Sequence, residues 1–250
     1  MFFTDEGNAD GPPLLFIHGV LCDSHDWMWQ LDAFSAAHRV IAVDLRGHGR
    51  SSPGGPYRPR DYAGDLVHLL DHLELAKVTV IGHSLGGLVG STLAVEHPDR
   101  VAALVVVDPA YGVAGELGAA MPGLIEALRH DTDNTVAASV FARLERDVTP
   151  PHLRAWHRRR VLGLAPGLAA DAYADIFGGP EQIAIEPASS AFHCRRTCPS
   201  LAVLSVQDIG EAEGTFGSEV HHWADNGHWL HQERPEDFNE LLRSWLNRLG

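Results

Sequence analysis

Short apolar runs alternate along the chain with segments of helical periodicity. Each run is bounded by turn residues, which is typical of the buried strands of a parallel sheet. Six runs predict strands: Leu14–Ile17, Arg39–Val43, Val78–Ile81, Ala102–Val107, Leu201–Val206 and Glu219–Ala224. Helices are predicted at Asp61–Leu73, Leu85–His97 and Pro235–Leu249. This order predicts an α/β fold in which a doubly wound, mainly parallel sheet carries helices on both faces.

The alternation breaks over residues 111–197, where the pattern is helical throughout. Candidate helices are Glu116–His130, Thr135–Asp147, Pro151–Leu164 and Gly167–Phe177. Because this stretch lies between two predicted core strands, we expect a helical cap over the functional edge of the sheet. The core then comprises residues 1–110 and 198–250, and the cap residues 111–197. The alternative is an ordinary pair of crossover helices joined by long loops.

The charge balance narrows the classes of partner. The 250-residue chain has 33 acidic and 19 basic residues, and its formal net charge is −14. Such a charge repels phosphate backbones and anionic lipid surfaces, so we expect no nucleic-acid partner and no membrane partner. The basic run Arg158-Arg159-Arg160 is interpreted as the solvated face of a helix. We expect a monomer or a homodimer acting on a small molecule.

Three cysteines, Cys22, Cys194 and Cys198, make an odd and small number. No charged and apolar leader precedes them, so we expect a reducing, cytoplasmic environment. The pair Cys194 and Cys198, although adjacent to His193, lacks the second pair of ligands that a structural zinc site requires. We therefore expect neither a metal nor a cofactor.

The segment Val78–Gly87 contains the strongest chemical motif. A β-branched strand runs through Gly82-His83-Ser84-Leu85-Gly86 directly into a helix. In such a turn, glycines remove side chains that would clash, and the serine is held exposed at the sheet edge. The helix that starts at Leu85 points N–H groups and its positive dipole end at the reacting oxygen. Ser84 is therefore predicted to be a nucleophile, with a helix cap as the alternative.

Four motifs together resemble the α/β-hydrolase superfamily, over nearly all of the chain outside the presumed cap. They are His18-Gly19-Val20, Asp44-Leu45-Arg46-Gly47-His48-Gly49-Arg50-Ser51, the turn from Gly82 to Gly87, and the segment from Gly227 to Pro235. The resemblance implies that Val20 supplies one oxyanion N–H, that Leu85 supplies the other, and that His228 is the base. Dehalogenases and epoxide hydrolases of the superfamily carry aspartate where this chain has Ser84, so the serine favours acyl chemistry.

The base is also indicated by its position along the chain. His228 follows the last predicted strand through the turn Asp225-Asn226-Gly227 and precedes the final helix. His231, His221 and His222 are the competing histidines. His231 is better explained as a packing residue, while His221 and His222 alternate along a strand, so that at least one faces solvent.

The acid that orients the base has two candidates. Asp208 lies where the resemblance usually implies it, after a strand and before the histidine. Only 228 − 208 = 20 residues separate it from His228, which leaves little room for a crossover helix. Asp108 ends the strand that follows the Ser84 helix, a position that some members of the superfamily use. The sequence leaves both candidates open.

His18, Gly19, Trp27 and His83 are candidate substrate-contacting residues because of their proximity to the motifs, with structural packing as the alternative for the histidines and the tryptophan. The expected function is a cofactor-free serine hydrolase that cleaves an ester, lactone or thioester of a neutral or weakly polar small molecule through an acyl-enzyme. Acyl transfer or cyclisation, perhydrolysis, carbon–carbon hydrolysis and cofactor-free oxygenation on the same fold are alternatives. A non-catalytic ligand-binding module is a further one.

Overall fold

A seven-stranded sheet forms the centre of the computed structural model, which describes residues 1–179, 182–205 and 212–250. The strand order is β1-β3-β2-β4-β5-β6-β7. The strands are β1 (Phe2–Gly7), β2 (Pro13–Ile17), β3 (Arg39–Asp44), β4 (Val78–His83), β5 (Val101–Val107), β6 (Ser200–Leu204) and β7 (Glu219–His222). Only β1 runs antiparallel to its neighbour among these strands. The predicted α/β class and mainly parallel sheet are confirmed.

Helices follow most of the strands. They are α1 (Met28–Ser35), α2 (Pro59–His72), α3 (Leu85–Glu96), α4 (Gly115–Arg129), α5 (Thr135–Leu144), α6 (Pro151–Leu162), α7 (Leu168–Phe177), α8 (Ala188–His193), a short helix Leu230–Glu233 and the C-terminal helix Pro235–Leu249. All seven predicted helices occur, with ends that differ by a few residues. The sequence pattern missed α1, α8 and the helix Leu230–Glu233, which are short.

The sheet separates two apolar clusters because successive side chains of a strand point to opposite faces. On β2, Leu15 and Ile17 face a cluster that contains residues of α2, α3 and the inserted helices α4 to α8. Leu14 and Phe16 face a second cluster, with Phe34 of α1 and residues of the C-terminal helix. Helices therefore cover both faces, as a doubly wound sheet requires.

Strand β1 was not predicted from the sequence, and its burial explains why. None of its six residues is fully buried, so Phe2-Phe3-Thr4-Asp5-Glu6-Gly7 shows no apolar face. Pairing with β3 along its whole length holds it at the sheet edge, together with the ion pair between Asp5 and Arg39 at 2.6 Å. The strand conformation of β1 therefore depends on its pairing with β3 and not on the local propensity of its residues.

Between β5 and β6, the described residues form the helices α4 to α8, apart from one isolated bridge between Val113 and Ile185. Their buried side chains, among them Ile125, Phe141 and Val161, join the same apolar cluster as α2 and α3. The inserted helices are therefore packed onto the core. Across the described part of the chain, no helix combines the length and the apolar character needed to cross a membrane.

Candidate active site

Ser84 occupies the single position between the end of β4 at His83 and the start of α3 at Leu85. Its backbone has φ 52° and ψ −114°, a conformation that a residue with a side chain adopts only under strain. Two hydrogen bonds, one to the last residue of β5 and one to the turn after it, hold it there. The Ser84 N–H donates to the Val107 carbonyl at 2.9 Å, and the Ser84 carbonyl accepts from the Ala110 N–H at 3.0 Å.

Glycines make this tight turn possible. A Cβ atom on Gly82 would clash with the carbonyl of Gly86, the second residue of α3, and a Cβ atom on Gly86 would clash with the carbonyl of Ile17 at the end of β2. The turn around Ser84 therefore packs directly against the end of β2. The requirement for glycine at these positions, argued from the sequence, has a steric basis in the structure.

His228 lies beside this turn and contacts one carboxylate. Its Nδ1 lies 2.8 Å from Oδ2 of Asp108. Asp108 directly follows β5 and has a positive φ of 44°, so a second strained residue lies at the same sheet edge. Because a carboxylate oxygen only accepts, Nδ1 carries the proton and Nε2 is the basic nitrogen.

Ser205, at the end of β6, also binds the Asp108 carboxylate. Its N–H donates to Oδ1 at 2.8 Å and its hydroxyl donates to Oδ2 at 2.7 Å. The carboxylate thus accepts three hydrogen bonds, which fix its plane. Sequence reasoning missed Ser205, because the predicted strand Leu201–Val206 placed it inside the strand, whereas the observed β6 ends at Leu204. The competing acid, Asp208, lies outside the described residues.

The loop that carries His228 is held by Glu233. One carboxylate oxygen of Glu233 accepts from the Gly227 N–H at 2.8 Å and from the Asn226 side-chain amide at 3.1 Å. The other accepts from the Thr149 hydroxyl at 2.5 Å. Thr149 lies between α5 and α6, so this carboxylate joins the histidine loop to the inserted helices.

On the other side of Ser84, the loop after β2 approaches closely. A Cβ atom on Gly19 would lie 3.3 Å from Cβ of Ser84. The ring of His18 accepts from the Leu45 N–H at 3.0 Å and donates through Nδ1 to the Gly19 carbonyl at 2.7 Å. Burial lowers the pKa of His18, which keeps this neutral form.

The hydrogen bond from His18 to the Gly19 carbonyl fixes the orientation of the Gly19–Val20 peptide plane. The Gly19 carbonyl and the Val20 N–H belong to one planar peptide and point in opposite directions. The N–H groups of Val20 and Leu85 donate to no backbone carbonyl among the described residues. Both therefore are free donors beside Ser84. His18 itself is fully buried and does not line the cavity, so its contact is with the loop and not with a ligand.

His83 lies between the two loops. Its Nε2 donates to the His228 carbonyl at 2.8 Å, and a Cβ atom on Gly19 would lie 2.9 Å from its Nδ1. Burial, and then the nearby His228, lowers the pKa of His83 well below its usual value. His83 also lines the cavity, as Gly19 does.

A cavity of about 770 Å³ opens above Ser84. Ser84, Asp108, Val20 and His228 line its floor, and the inserted helices supply a mainly apolar wall of Leu117, Met121, Leu124, Val140, Phe141, Leu144, Tyr173 and Phe177. Trp27 does not reach it. That side chain is fully buried on the opposite face of the sheet, against Phe16 and His231, because it belongs to the turn that enters α1.

The basic run Arg158-Arg159-Arg160, which was predicted to face solvent, is only partly exposed. Arg158 and Arg159 are exposed, but Arg160 forms a buried ion pair with Asp26, with Nη1 2.5 Å from Oδ1. Nη2 of Arg160 lies 3.0 Å from Sγ of Cys22, a residue that lines the cavity. The expectation for Arg160 was therefore wrong, because its partner is distant in sequence. The pair links α6 to the loop after Val20.

Comparison with known proteins identifies the family. The model of the α/β hydrolase fold matches residues 12–184. The chain belongs to the α/β-hydrolase fold family. A curated relative, the dihydrolipoyllysine-residue acetyltransferase component of the acetoin cleaving system of Cupriavidus necator, is 32% identical over 243 residues, which cover 93% of this chain and 63% of the relative.

Two further proteins are similar to this chain. The 3-oxoadipate enol-lactonase 2 of Acinetobacter baylyi is 40% identical over 105 residues, 42% of this chain and 39% of the relative. A thermophilic esterase from Thermogutta terrifontis superposes with a TM-score of 0.84 at 26% identity, over 99% of this chain and 93% of the esterase. The matches thus span less than two thirds of the length of both curated relatives.

Proposed function

We propose that this α/β-hydrolase is a serine hydrolase that cleaves an ester-type bond of a small molecule through an acyl-enzyme. The observation that carries the proposal is the strained Ser84 in the lining of a cavity, beside a histidine whose Nδ1 is bound to Asp108. Serine hydroxyl is a weak nucleophile until such a base accepts its proton. Relatives named as an enol-lactonase and an esterase support ester-type chemistry.

In this mechanism, Oγ of Ser84 attacks the acyl carbon while Nε2 of His228 takes the hydroxyl proton. The leaving oxygen departs with that proton, and the acyl group remains on Ser84. Water then attacks the acyl-enzyme, its proton passes to Nε2, and Ser84 leaves with that proton as the acid is released. Asp108 holds the imidazole in the required tautomer throughout.

The negative oxygen that forms in each addition step needs donors already in place. Val20 and Leu85 N–H groups supply them in this proposal, since both are free and lie beside Ser84. His18 acts as a positioning residue because it fixes the Gly19–Val20 peptide. The inserted helices act as a cap that excludes bulk water from the cavity.

The test is a panel of p-nitrophenyl esters of graded acyl length, with lactones and thioesters beside it. We expect turnover of at least one class, and Ser84→Ala should lower kcat/KM by at least about 10³. Ser139→Ala is the matched control, because Ser139 is an exposed serine of α5 outside the cavity. A fluorophosphonate probe should label the unmodified protein and not Ser84→Ala.

The outcomes separate the alternatives. Absence of both turnover and labelling would contradict the proposal and favour a ligand-binding module. Labelling with transfer of the acyl group to an added alcohol or thiol, faster than to water, would favour acyl transfer through the same intermediate.

A further inference from the structure

Two arginine side chains line the cavity at the end of α5. They are Arg143 and Arg146, and both are exposed. Neither guanidinium group forms a hydrogen bond or an ion pair with a described residue. Arg154 of the next helix differs, since its guanidinium binds the backbone carbonyls of Thr149 and Arg146. The backbone of Arg146 is therefore fixed, while its charged group remains available.

The same segment contacts the histidine loop. The Leu144 carbonyl accepts from the His228 N–H at 3.0 Å, so Arg143 and Arg146 flank a residue that touches the proposed base. Thr149, three positions after Arg146, donates its hydroxyl to a carboxylate oxygen of Glu233 at 2.5 Å. The two guanidinium groups thus emerge from a segment whose position relative to the site is set by hydrogen bonds.

Among the described residues that line the cavity, no carboxylate pairs with these arginines. Asp108 already accepts hydrogen bonds from His228 and Ser205. Glu116, at the start of α4, is the other acidic residue along the described lining. The described part of the lining thus holds two arginines without a described partner and one carboxylate, that of Glu116, beyond Asp108, in a chain whose net charge is −14. Two cations in the lining of a cavity attract an anionic ligand to it, even on an acidic protein.

We propose that Arg143 and Arg146 bind a carboxylate group of the substrate, so that the substrate class is the ester or lactone of a dicarboxylic acid. This inference rests on the proposed function and replaces the expectation of a neutral substrate. Arginine suits the task because its planar fork of N–H donors matches a carboxylate. The net charge disfavours a polyanion such as a polyphosphate, and the apolar side chains that line the same cavity fit a methylene chain.

The experiment compares two matched esters, monoethyl adipate and its neutral isostere ethyl adipamate, by the ethanol released. For the unmodified protein, kcat/KM for the acid should exceed that for the amide by about tenfold or more, mainly through KM, because charge-assisted hydrogen bonds strengthen binding. Arg143→Gln/Arg146→Gln should abolish this preference and leave ethyl adipamate turnover within about twofold. The preference should also fall as salt screens the charges.

The control is Arg158→Gln/Arg159→Gln, which removes two exposed arginines of α6 that do not line the cavity. It should keep the preference. The inference would be overturned if both double variants preferred monoethyl adipate over ethyl adipamate to the same degree. It would also be overturned if Arg143→Gln/Arg146→Gln lost turnover of both esters equally, which would indicate a role in folding.

A binding measurement separates this inference from the proposed function. Adipate, but not adipamide, should raise the melting temperature of Ser84→Ala, and the added Arg143→Gln/Arg146→Gln changes should remove the effect. Stabilisation without any ester turnover would support the carboxylate site and contradict the hydrolase proposal. Turnover of ethyl adipamate with no adipate effect would overturn the carboxylate site alone.

Discussion

Nδ1 of His228 lies 2.8 Å from Oδ2 of Asp108, although 120 positions separate them in the chain. The contact forms because β5 ends beside β4 and β6, so that Asp108, Ser84 and Ser205 meet at one edge of the sheet. The histidine reaches this edge from the loop after β7. The relationship determines what a change at each of these residues should do.

Asp108→Asn should lower kcat/KM for the best p-nitrophenyl ester by about 10⁴. An amide at this position keeps the shape of the site, but it no longer requires the proton of His228 to stay on Nδ1 and gives the imidazolium no countercharge. Steady-state kinetics of Asp108→Asn and Asp208→Asn provide the comparison. A larger loss in Asp208→Asn would show that the Asp108 contact is not the functional one.

Ser205→Ala should lower kcat by about tenfold with little change in KM. The hydroxyl of Ser205 is one of three donors to the Asp108 carboxylate, and a hydrogen bond to a charged group contributes about 1.5 kcal/mol. The Ser205 N–H still holds the other oxygen. Ser205→Thr retains a hydroxyl and is the matched control. Equal kcat values for Ser205→Ala and the unmodified protein would show that the backbone bond alone orients Asp108.

Much of the site followed from the sequence because strand ends and turn residues are local signals. Ser84 lies between a strand and a helix, and His228 follows a strand and a turn, both of which the pattern of the chain reveals. The carboxylate that contacts His228 could not be identified from such local signals. Asp108 and Asp208 both follow strands that are neighbours in the sheet, so only the three-dimensional structure shows that Asp108 contacts His228.

Other features depended on partners far along the chain. Arg160 follows two exposed arginines, and only the proximity of Asp26 explains its burial. Trp27 lies close to Gly19 in sequence, but the turn into α1 carries it to the opposite face of the sheet. Strand β1 has no apolar alternation and depends on β3. Short-range periodicity contains none of this information.

Arg160→Met should destabilise the protein by about 3–5 kcal/mol at pH 7, because it leaves Asp26 buried without a countercharge. Burial alone would raise the pKa of Asp26, but the attraction of Arg160 outweighs it and the pKa lies at about 2. In the unmodified protein this stabilisation is present above the unfolded value near 3.8 and is lost as the pH falls towards 2.

The destabilisation by Arg160→Met should therefore shrink as the pH falls, since Asp26 of the variant becomes neutral at a higher pH than that of the unmodified protein. Urea unfolding at pH 7 and at pH 4 measures the difference. Asp26→Leu/Arg160→Met should recover most of the lost stability at pH 7, because neither charge remains. A penalty that is the same at both pH values would show that lost packing, and not the uncompensated carboxylate, explains the effect.

Stability should fall as the pH drops below about 6.5, since buried histidines, among them His83, His157 and His231, resist protonation in the folded state. Burial lowers the pKa of His231 to about 3 and that of His157 to about 4, and the pKa of His83 lies well below its usual value for the same reason. The unfolded chain takes up protons near pH 6.5, so the stabilisation is present above that pH and decreases towards pH 4, by up to about 1.4 kcal/mol per pH unit for each histidine.

His231→Phe isolates one of these three contributions. The ring of His231 packs on Trp27 with centroids 4.1 Å apart, and neither of its nitrogens has a hydrogen-bond partner among the described residues. Phenylalanine should therefore fit this position, with little loss of stability at pH 7.5 and a pH slope between 6 and 4.5 smaller by about 1.4 kcal/mol per unit. Denaturant unfolding across this range measures the slope, and His68→Gln, on the exposed side of α2, is the control. If His231→Phe has the slope of the unmodified protein, His231 is protonated in the folded state as readily as in the unfolded chain, and its burial does not make stability depend on pH.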